Sequence, residues 1–178
     1  MFIGASGAKL KAYGDVGGPC LLIHGAGEAA AVFEPQIAVV PGTWAVDLPG
    51  HGGSPGEGHE SVEEYAELVR EILENYARTH TVLGGHSMGG AIALLAGLRF
   101  PELLAGLALF ATGARLRVNP DLLKALAGGE FPESFRVAMV GDADDVMLLS
   151  RIPEPPDPAV RYRDFLACDS FDVLDRLG

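Results

Sequence analysis

The sequence predicts an α/β fold in which a mostly parallel central sheet carries helices on both faces. Short apolar runs alternate with helical patterns at short intervals, which is typical of parallel strands joined by helices. The apolar runs lack polar alternation, as expected for strands that are buried on both faces. With 178 residues, 48% of them hydrophobic, the chain is long enough to form a core of this kind.

The individual strands and helices follow from local patterns. Four apolar runs are the predicted strands: residues 20–23, 43–46, 81–83 and 103–110. A helix should begin after Ser61, because the Ser61 hydroxyl can accept from the amide of Glu64 while the Glu64 side chain reaches back. Its apolar face follows at helical spacing and consists of Val62, Tyr65, Ala66, Val69, Ile72, Leu73 and Tyr76. A second helix is predicted from Ser87 to about Arg99, ended by Pro101, and its apolar character all round predicts burial.

The chain after Phe110 has a different character. Turn-forming pairs such as Asn119-Pro120 and Gly128-Gly129 divide it into short helical pieces. We interpret this part as a helical insertion and not as a further strand-helix unit.

Charge and hydropathy exclude several classes of function. The chain has 13 basic and 24 acidic residues, and its formal net charge of -11 repels a phosphate backbone, so we expect no nucleic-acid partner. No apolar stretch approaches the ~20 residues of a membrane span or forms a signal-peptide core, so we expect no membrane partner and a cytoplasmic location. Cys20 and Cys168 lack metal-ligand spacing and are interpreted as buried thiols; no metal or cofactor is expected.

The stretch GGHSMGG places a serine between glycines at the junction of a strand and a helix. In the pattern Gly85-x-Ser87-x-Gly89 the glycines allow strand and helix to pass closely, and the serine hydroxyl becomes exposed at the end of the strand. Ser87 is therefore a candidate nucleophile, and the amide of Met88 can stabilise an oxyanion at the helix N-terminus. The alternative is a glycine-rich turn in which Ser87 is a plain helix N-cap.

Two further loops follow strands in the same way. The turn His24-Gly25-Ala26-Gly27 can direct a backbone amide, that of Ala26, at the same oxyanion from the opposite side. The second loop, DLPGHGGS at residues 47–54, is dense in turn-forming residues.

In this order and spacing, the three motifs resemble the α/β-hydrolase fold superfamily. The resemblance covers residues 1–112 as the N-terminal part of the core and, more loosely, residues 113–168 as a helical cap; residues 169–178 resemble the start of the return to the core. It implies that Ser87 is the nucleophile and that the amides of Ala26 and Met88 form the oxyanion hole. Serine at this position, where dehalogenase-like members carry aspartate, favours acyl chemistry.

The family orders its catalytic triad as serine, acid, histidine along the chain. His86 is the last histidine here, so we assign neither the base nor the acid, and Asp142, Asp144, Asp145, Asp164, Asp169, Asp172 and Asp175 remain unassigned. We expect the strands that carry both to lie outside this chain. We hypothesise that a C-terminal fragment or second polypeptide supplies them and pairs with the edge of the strand at residues 103–110. The alternatives are a fragment or a catalytically inactive relative that binds ligands or partners.

The other polar residues of these motifs are interpreted as structural. His24, His51 and His86 belong to turns, and we expect hydrogen-bonded scaffold roles for them. His59 and His80 are predicted at the surface. Asp47 is interpreted as a residue that organises its loop and not as the acid of the triad.

A dinucleotide-binding site is the rival interpretation. Gly25-x-Gly27-x-x-Ala30 follows an apolar strand, and Asp47 lies at the distance expected for a ribose-binding acid. Against it, Pro35 should break the helix that follows the glycines, and the motif around Ser87 stays unexplained.

The sequence thus favours a serine hydrolase of small carboxylic esters or related acyl compounds that is nearly inactive without the missing segment. Fold alone does not identify the substrate. Apolar residues of the predicted cap could line the cleft or form the core of the cap: Leu116, Leu122, Leu123, Phe131, Phe135, Met139, Met147 and Leu148.

Overall fold

The structure, a computed structural model, describes residues 1–135 and 156–177 of the chain. Six strands form one mixed sheet in the order β1-β2-β4-β3-β5-β6. Their bounds are β1 (Phe2–Ala5), β2 (Ala8–Gly14), β3 (Cys20–Ile23), β4 (Thr43–Val46), β5 (Thr81–His86) and β6 (Leu104–Phe110). The four predicted strands are all present, and β4, β3, β5 and β6 are parallel neighbours. The predicted α/β fold is confirmed.

The first two strands form an antiparallel hairpin that the sequence analysis did not predict. β1 pairs with β2, and β2 pairs antiparallel with β4, which makes the sheet mixed. Leu10 and Ala12 of β2 are buried on the core face, while Lys9 and Lys11 alternate with them. The hairpin extends the sheet beyond β4 and covers part of the core.

Helices lie on both faces of the sheet, as predicted. The helices are α1 (Glu34–Val39), α2 (Val62–Tyr76), α3 (Met88–Arg99), α4 (Pro120–Ala127) and α5 (Pro158–Ser170), with short 3-10 turns at Ala30–Phe33, Pro101–Leu103 and Leu174–Arg176. The larger core packs Leu21 and Ile23 of β3 against α2 and α3. Leu22 of the same strand points to the opposite face and packs in a second core with Phe33, next to α1.

The predicted boundaries of α2 and α3 are confirmed. The amide of Glu64 donates to the Ser61 hydroxyl at 3.2 Å, and that hydroxyl donates to the Glu64 carboxylate at 2.9 Å, which completes the capping box. Of the predicted apolar face of α2, all members are buried except the half-buried Tyr76. In α3, eight of the residues are buried, from Met88 to Ala96.

β6 forms an edge of the sheet in the described part of the chain. It pairs with β5 along its full length, and no second strand borders it there. Three of its apolar side chains are markedly exposed: Leu107 at 39%, Leu109 at 42% and Phe110 at 48%. A long apolar edge with unpaired backbone groups is a site where another strand can add.

The helices after β6 pack on each other. Leu122 and Leu126 of α4 and Phe165 of α5 form a small buried cluster, against which Phe131 and Phe135 pack. Leu122 is thus core of the predicted cap. Met139, Met147 and Leu148 lie outside the described residues, and the division into core and cap at residue 112 remains a prediction.

The chain then returns to the core after α5. The amide of Val173 donates to the carbonyl of Ala114 at 2.8 Å, beside a β-bridge between Arg115 and Asp172. Cys168 is buried as expected, whereas Cys20 is half-buried. No helix within residues 1–135 or 156–177 has the length and apolar character needed to cross a membrane.

Candidate functional site

Ser87 lies at the sharp junction between β5 and α3. Its backbone has φ 51° and ψ −116°, a left-handed conformation that residues with a side chain rarely adopt. The junction is held because the Ser87 amide donates to the carbonyl of Phe110 in β6 at 2.9 Å, and the Ser87 carbonyl accepts from the amide of Gly90 at 3.0 Å. The Ser87 side chain makes no capping hydrogen bond, so the interpretation as a plain N-cap is not supported.

Glycines are required on both sides of this serine. A Cβ on Gly85 would overlap the backbone of Gly89, the second residue of α3. A Cβ on Gly89 would overlap the carbonyl groups of Ile23 and His24, which end β3. The N-terminus of α3 therefore lies directly against the loop that follows β3.

The two amides that the sequence analysis assigned to an oxyanion hole are both unpaired in the described structure. Met88 is the first residue of α3, and its amide has no acceptor there. The amide of Ala26, in the loop against which α3 packs, also lacks one. Unpaired amides at a helix N-terminus and in a neighbouring loop can donate to a negative oxygen.

Carboxylates hold the Ala26 loop on either side of that residue. The Gly25 amide donates to Glu28 Oε2 at 2.8 Å, and the Gly27 amide donates to Asp164 Oδ2 at 2.8 Å. The amides on both sides of Ala26 are thus occupied, whereas the amide of Ala26 itself has no acceptor in the described residues.

Asp164 is a fully buried carboxylate on α5 with three donors. Besides the Gly27 amide, it accepts from His51 Nε2 at 2.7 Å and from the Tyr65 hydroxyl at 2.8 Å. His51 Nδ1 faces the carbonyl of Pro49 at 3.0 Å, so both ring nitrogens face acceptors, which is the arrangement of an imidazolium. Burial is the largest single effect and opposes this charge, but the hydrogen bond to Asp164, the charge of that carboxylate and the Pro49 carbonyl together outweigh it and raise the pKa of His51.

His24 lies next to His51 but is held neutral. Its Nδ1 donates to the carbonyl of Gly25 at 2.9 Å, and its Nε2 accepts from the amide of Leu48 at 3.0 Å. Complete burial, together with the neighbouring charge of His51, lowers the pKa of His24 to about 4. His24 therefore joins the loop after β3 to the loop after β4, and His51 joins the loop after β4 to α5. Both have hydrogen-bonded roles of the kind that the scaffold interpretation expected.

His86 is paired with Glu28. Its Nδ1 lies 3.0 Å from Glu28 Oε2, and this hydrogen bond raises the pKa of His86. Burial is the largest single effect and acts to raise the pKa of Glu28, but the hydrogen bond from His86, the charge of His86 and the Gly25 amide together lower it. His80 is exposed as predicted, whereas His59, predicted at the surface, is half-buried because its ring packs edge-on against Tyr65.

Asp47 organises its loop. Its buried carboxylate accepts from the amides of Ala30 and Gly53, both at 2.8 Å, and from the Tyr13 hydroxyl at 2.9 Å. Burial and this hydrogen bond raise the pKa of Tyr13 to about 12.

The dinucleotide-binding interpretation finds no support in this arrangement. Asp47, which would have to bind a ribose, is already saturated by protein donors. Pro35, expected to break the helix, instead lies in the first turn of α1, which starts only at Glu34.

No base for Ser87 is found in the described part of the chain. The hydroxyl of Ser87 has no hydrogen bond there, and His24, His51 and His86 each have other partners. The sequence analysis missed the role of Asp164, because nothing local distinguishes this residue from the other acidic residues that follow Ser87.

A serine in a strained turn between a parallel strand and a helix, beside two unpaired amides, places this protein in the α/β hydrolase class. The chain belongs to the alpha/beta hydrolase family, whose family model matches residues 20–177.

Its relatives include esterases and other hydrolases. The pimeloyl-[acyl-carrier protein] methyl ester esterase of Neisseria meningitidis is 36% identical over 65% of this chain and 38% of its own length. The 2-(acetamidomethylene)succinate hydrolase of Mesorhizobium japonicum is 31% identical over 82% of this chain and 53% of its own length. The chain therefore spans about half or less of these two curated relatives.

Solved structures show the same fold. A thermophilic esterase superposes with a TM-score of 0.76 at 30% identity and covers 98% of this chain and 69% of its own. The enol-lactonase of Burkholderia xenovorans superposes with a TM-score of 0.81 over 97% of this chain and 74% of its own, and at 18% identity it shows the fold alone.

Proposed function

We propose that this chain carries the nucleophile and the oxyanion hole of a serine hydrolase that acts on small carboxylic esters or related acyl compounds. The observation that carries the proposal is the strained backbone of Ser87, with the unpaired amides of Met88 and Ala26 beside it. Backbone strain of this kind clusters at active sites, where the surrounding structure holds it. The esterase names of the relatives agree with acyl chemistry.

The chemistry assigned to these groups is an acyl transfer in two steps. The Ser87 oxygen attacks the ester carbonyl carbon, the carbonyl electron pair moves onto oxygen, and the amides of Met88 and Ala26 donate to that oxyanion. Collapse expels the alcohol, which takes up the proton lost by Ser87, and leaves an acyl ester on Ser87. Water then attacks this ester, which releases the carboxylic acid and restores the hydroxyl of Ser87.

The proton of Ser87 needs a base, and we propose that a complementary segment supplies it. This segment would carry an acid and a histidine and would add to the apolar edge of β6, where Leu109 and Phe110 are exposed. Ser87 lies next to β6 on its inner side, because its amide donates to the carbonyl of Phe110 at the end of that strand. Without the histidine, turnover should fall by roughly a million-fold, as in subtilisin.

A catalytically inactive binding protein is the second candidate. It is favoured by one observation, the absence of a base beside Ser87 in residues 1–135 and 156–177. A protein of this kind would keep the cleft and its donors for a ligand, without turnover.

Phosphonylation of serine by a fluorophosphonate separates the two candidates. We expect a single mass increase on the purified native material that maps to Ser87, disappears in Ser87→Ala and persists in the control Ser170→Ala, whose serine is exposed on α5. Intact mass under denaturing conditions should also reveal a second polypeptide of roughly 70 to 100 residues, enough to complete a domain. A labelling rate no higher than that of the urea-unfolded chain would overturn the hydrolase and support the binding protein.

A further inference from the structure

The geometry points to Arg161 as the residue that binds a free carboxylate of the substrate, so that the preferred substrates are acyl compounds with a second, ionised carboxyl group. This inference rests on the proposed function, because it concerns the same cleft and names the class of acyl compound.

Arg161 lies beside the loop that carries the proposed oxyanion donor. It belongs to the first turns of α5, and its Cγ lies 3.3 Å from the position that a Cβ on Gly27 would occupy. Gly27 directly follows Ala26 in this loop. Ala26 also packs on the apolar cluster of α4 and α5 that Phe131 joins. The guanidinium is therefore only a short distance from where the reacting carbonyl would bind.

The ring of Phe131 orients this guanidinium. Arg161 Cζ lies 5.0 Å from the centroid of the ring, within the range of a cation–π contact. Phe131 is in turn in contact with Phe165, at 6.1 Å between ring centroids. Stacking leaves the edge of a guanidinium, with its parallel N–H groups, free for an acceptor.

Arg161 lacks an acceptor for those N–H groups in the part of the chain that the structure describes. The other half-buried arginines there are paired with glutamates: Arg70 contacts Glu67 at 2.9 Å, and Arg163 contacts Glu57 at 3.0 Å. Asp164, the carboxylate nearest along the helix, is already occupied by Gly27, His51 and Tyr65. Burial lowers the pKa of Arg161, although the negative charge of Asp164 acts in the opposite direction.

An unpaired and partly desolvated cation next to a reaction site favours an anionic ligand. A carboxylate fits this site because its two oxygens match the planar fork of a guanidinium. The local positive charge also matters because the chain as a whole is strongly acidic, with a formal charge of -11, and repels anions.

The test is the affinity of the purified chain for simple dicarboxylates, measured by calorimetry with malonate, succinate, glutarate and adipate. We expect the best of these acids to bind ~10- to 100-fold more weakly to Arg161→Gln, because one charge-assisted hydrogen-bond pair is lost. Arg161→Lys should keep part of the affinity. The matched control is Arg163→Gln, two residues along α5, whose guanidinium pairs with Glu57 and should leave binding unchanged.

Two further measurements separate this inference from the proposed function. The dimethyl ester of the best acid should bind the native chain and Arg161→Gln equally, and Ser87→Ala should retain dicarboxylate binding because the hydroxyl is not needed for it. Unreactive Ser87 with intact dicarboxylate binding would overturn the hydrolase alone. Absence of binding for all four acids, or an equal loss in Arg161→Gln and Arg163→Gln, would overturn the role of Arg161.

Discussion

The carboxylate of Asp164 accepts a hydrogen bond of 2.8 Å from the amide of Gly27, although 137 positions separate the two residues in the chain. The same carboxylate also binds His51 and Tyr65. One buried negative charge thus joins α5 to the loop of the proposed oxyanion donor, to the loop after β4 and to α2. The position of Ala26 consequently depends on the docking of a helix from the predicted cap.

Removal of this carboxylate should be severely destabilising. Asp164→Ala leaves a buried imidazolium and two buried donors without an acceptor, and loss of one partner of a buried ion pair costs about 3–5 kcal/mol. We expect this decrease in the free energy of unfolding, measured by urea titration at pH 7. Amide hydrogen exchange at Gly27, whose amide loses its acceptor, should accelerate more than exchange in β3.

Asp169→Ala is the matched control for that variant. Asp169 lies on the same helix, is half-buried and accepts a neutral hydrogen bond of 3.0 Å from the Val118 amide, and it makes no hydrogen bond to the Ala26 loop in the described residues. Its removal should cost about 1 kcal/mol and leave exchange at Gly27 unchanged. Equal losses of stability in the two variants would contradict a special role for Asp164.

His24 and His51, whose rings lie 4.8 Å apart between centroids, should affect the pH dependence of stability in opposite directions. The pKa of His24 is lowered to about 4 in the folded state, so between the usual pKa of about 6.5 and pH 4 the unfolded chain binds the proton more strongly. The free energy of unfolding should therefore decrease by about 3 kcal/mol, through this residue alone, as the pH falls across that range. Urea unfolding of the native chain and of His24→Gln at several pH values tests this: the free energy of unfolding should decrease less steeply with falling pH in His24→Gln.

His51 should show the reverse behaviour. Because its folded pKa is raised, its contribution to stability is complete below the usual pKa of about 6.5 and is lost as the pH rises through the folded pKa. NMR titration of the imidazole signals distinguishes the two residues directly. A His24 signal that titrates near pH 6.5 would contradict the burial and hydrogen bonding that hold it neutral.

Local signals in the sequence were sufficient for α2, for α3 and for the serine turn. The capping box of Ser61 and Glu64 acts within one helical turn, and the glycines around Ser87 reflect overlap with the adjacent strand and helix. These features are determined by neighbours in the sequence or by one close approach. They could therefore be predicted from residue type and spacing alone.

The hairpin of β1 and β2 and the role of Asp164 could not be predicted in the same way. β2 alternates small or polar side chains with few large apolar ones, Leu10 being the exception, so its strand signal is weak. Asp164 acquires its role from partners 99 to 137 residues away, which only the packing of α5 brings together. Tertiary contacts of this kind leave no periodic signal.

Gly85→Ala should disrupt the turn of Ser87 through steric overlap. The added methyl group would meet the backbone of Gly89, and neither β5 nor α3 can move without disturbing the sheet. We expect overpacking to lower the free energy of unfolding by about 1–3 kcal/mol. The rate of phosphonylation of Ser87 should fall by more than the decrease in the folded fraction accounts for. In the control Gly106→Ala, where the structure shows open space, stability should stay the same or rise.

The exposed edge of β6 should make the isolated chain self-associate. Leu109 is 42% exposed on a strand whose outer backbone groups have no partner strand in the described chain, and such an edge can pair with a second copy. Leu109→Lys should shift sedimentation velocity profiles toward the monomer, because a charge on an edge strand opposes strand addition. The matched control is Val39→Lys, which removes an apolar side chain that is 76% exposed but lies on α1, away from the edge. If both variants reduce association equally, general surface hydrophobicity and not the edge of β6 is the cause.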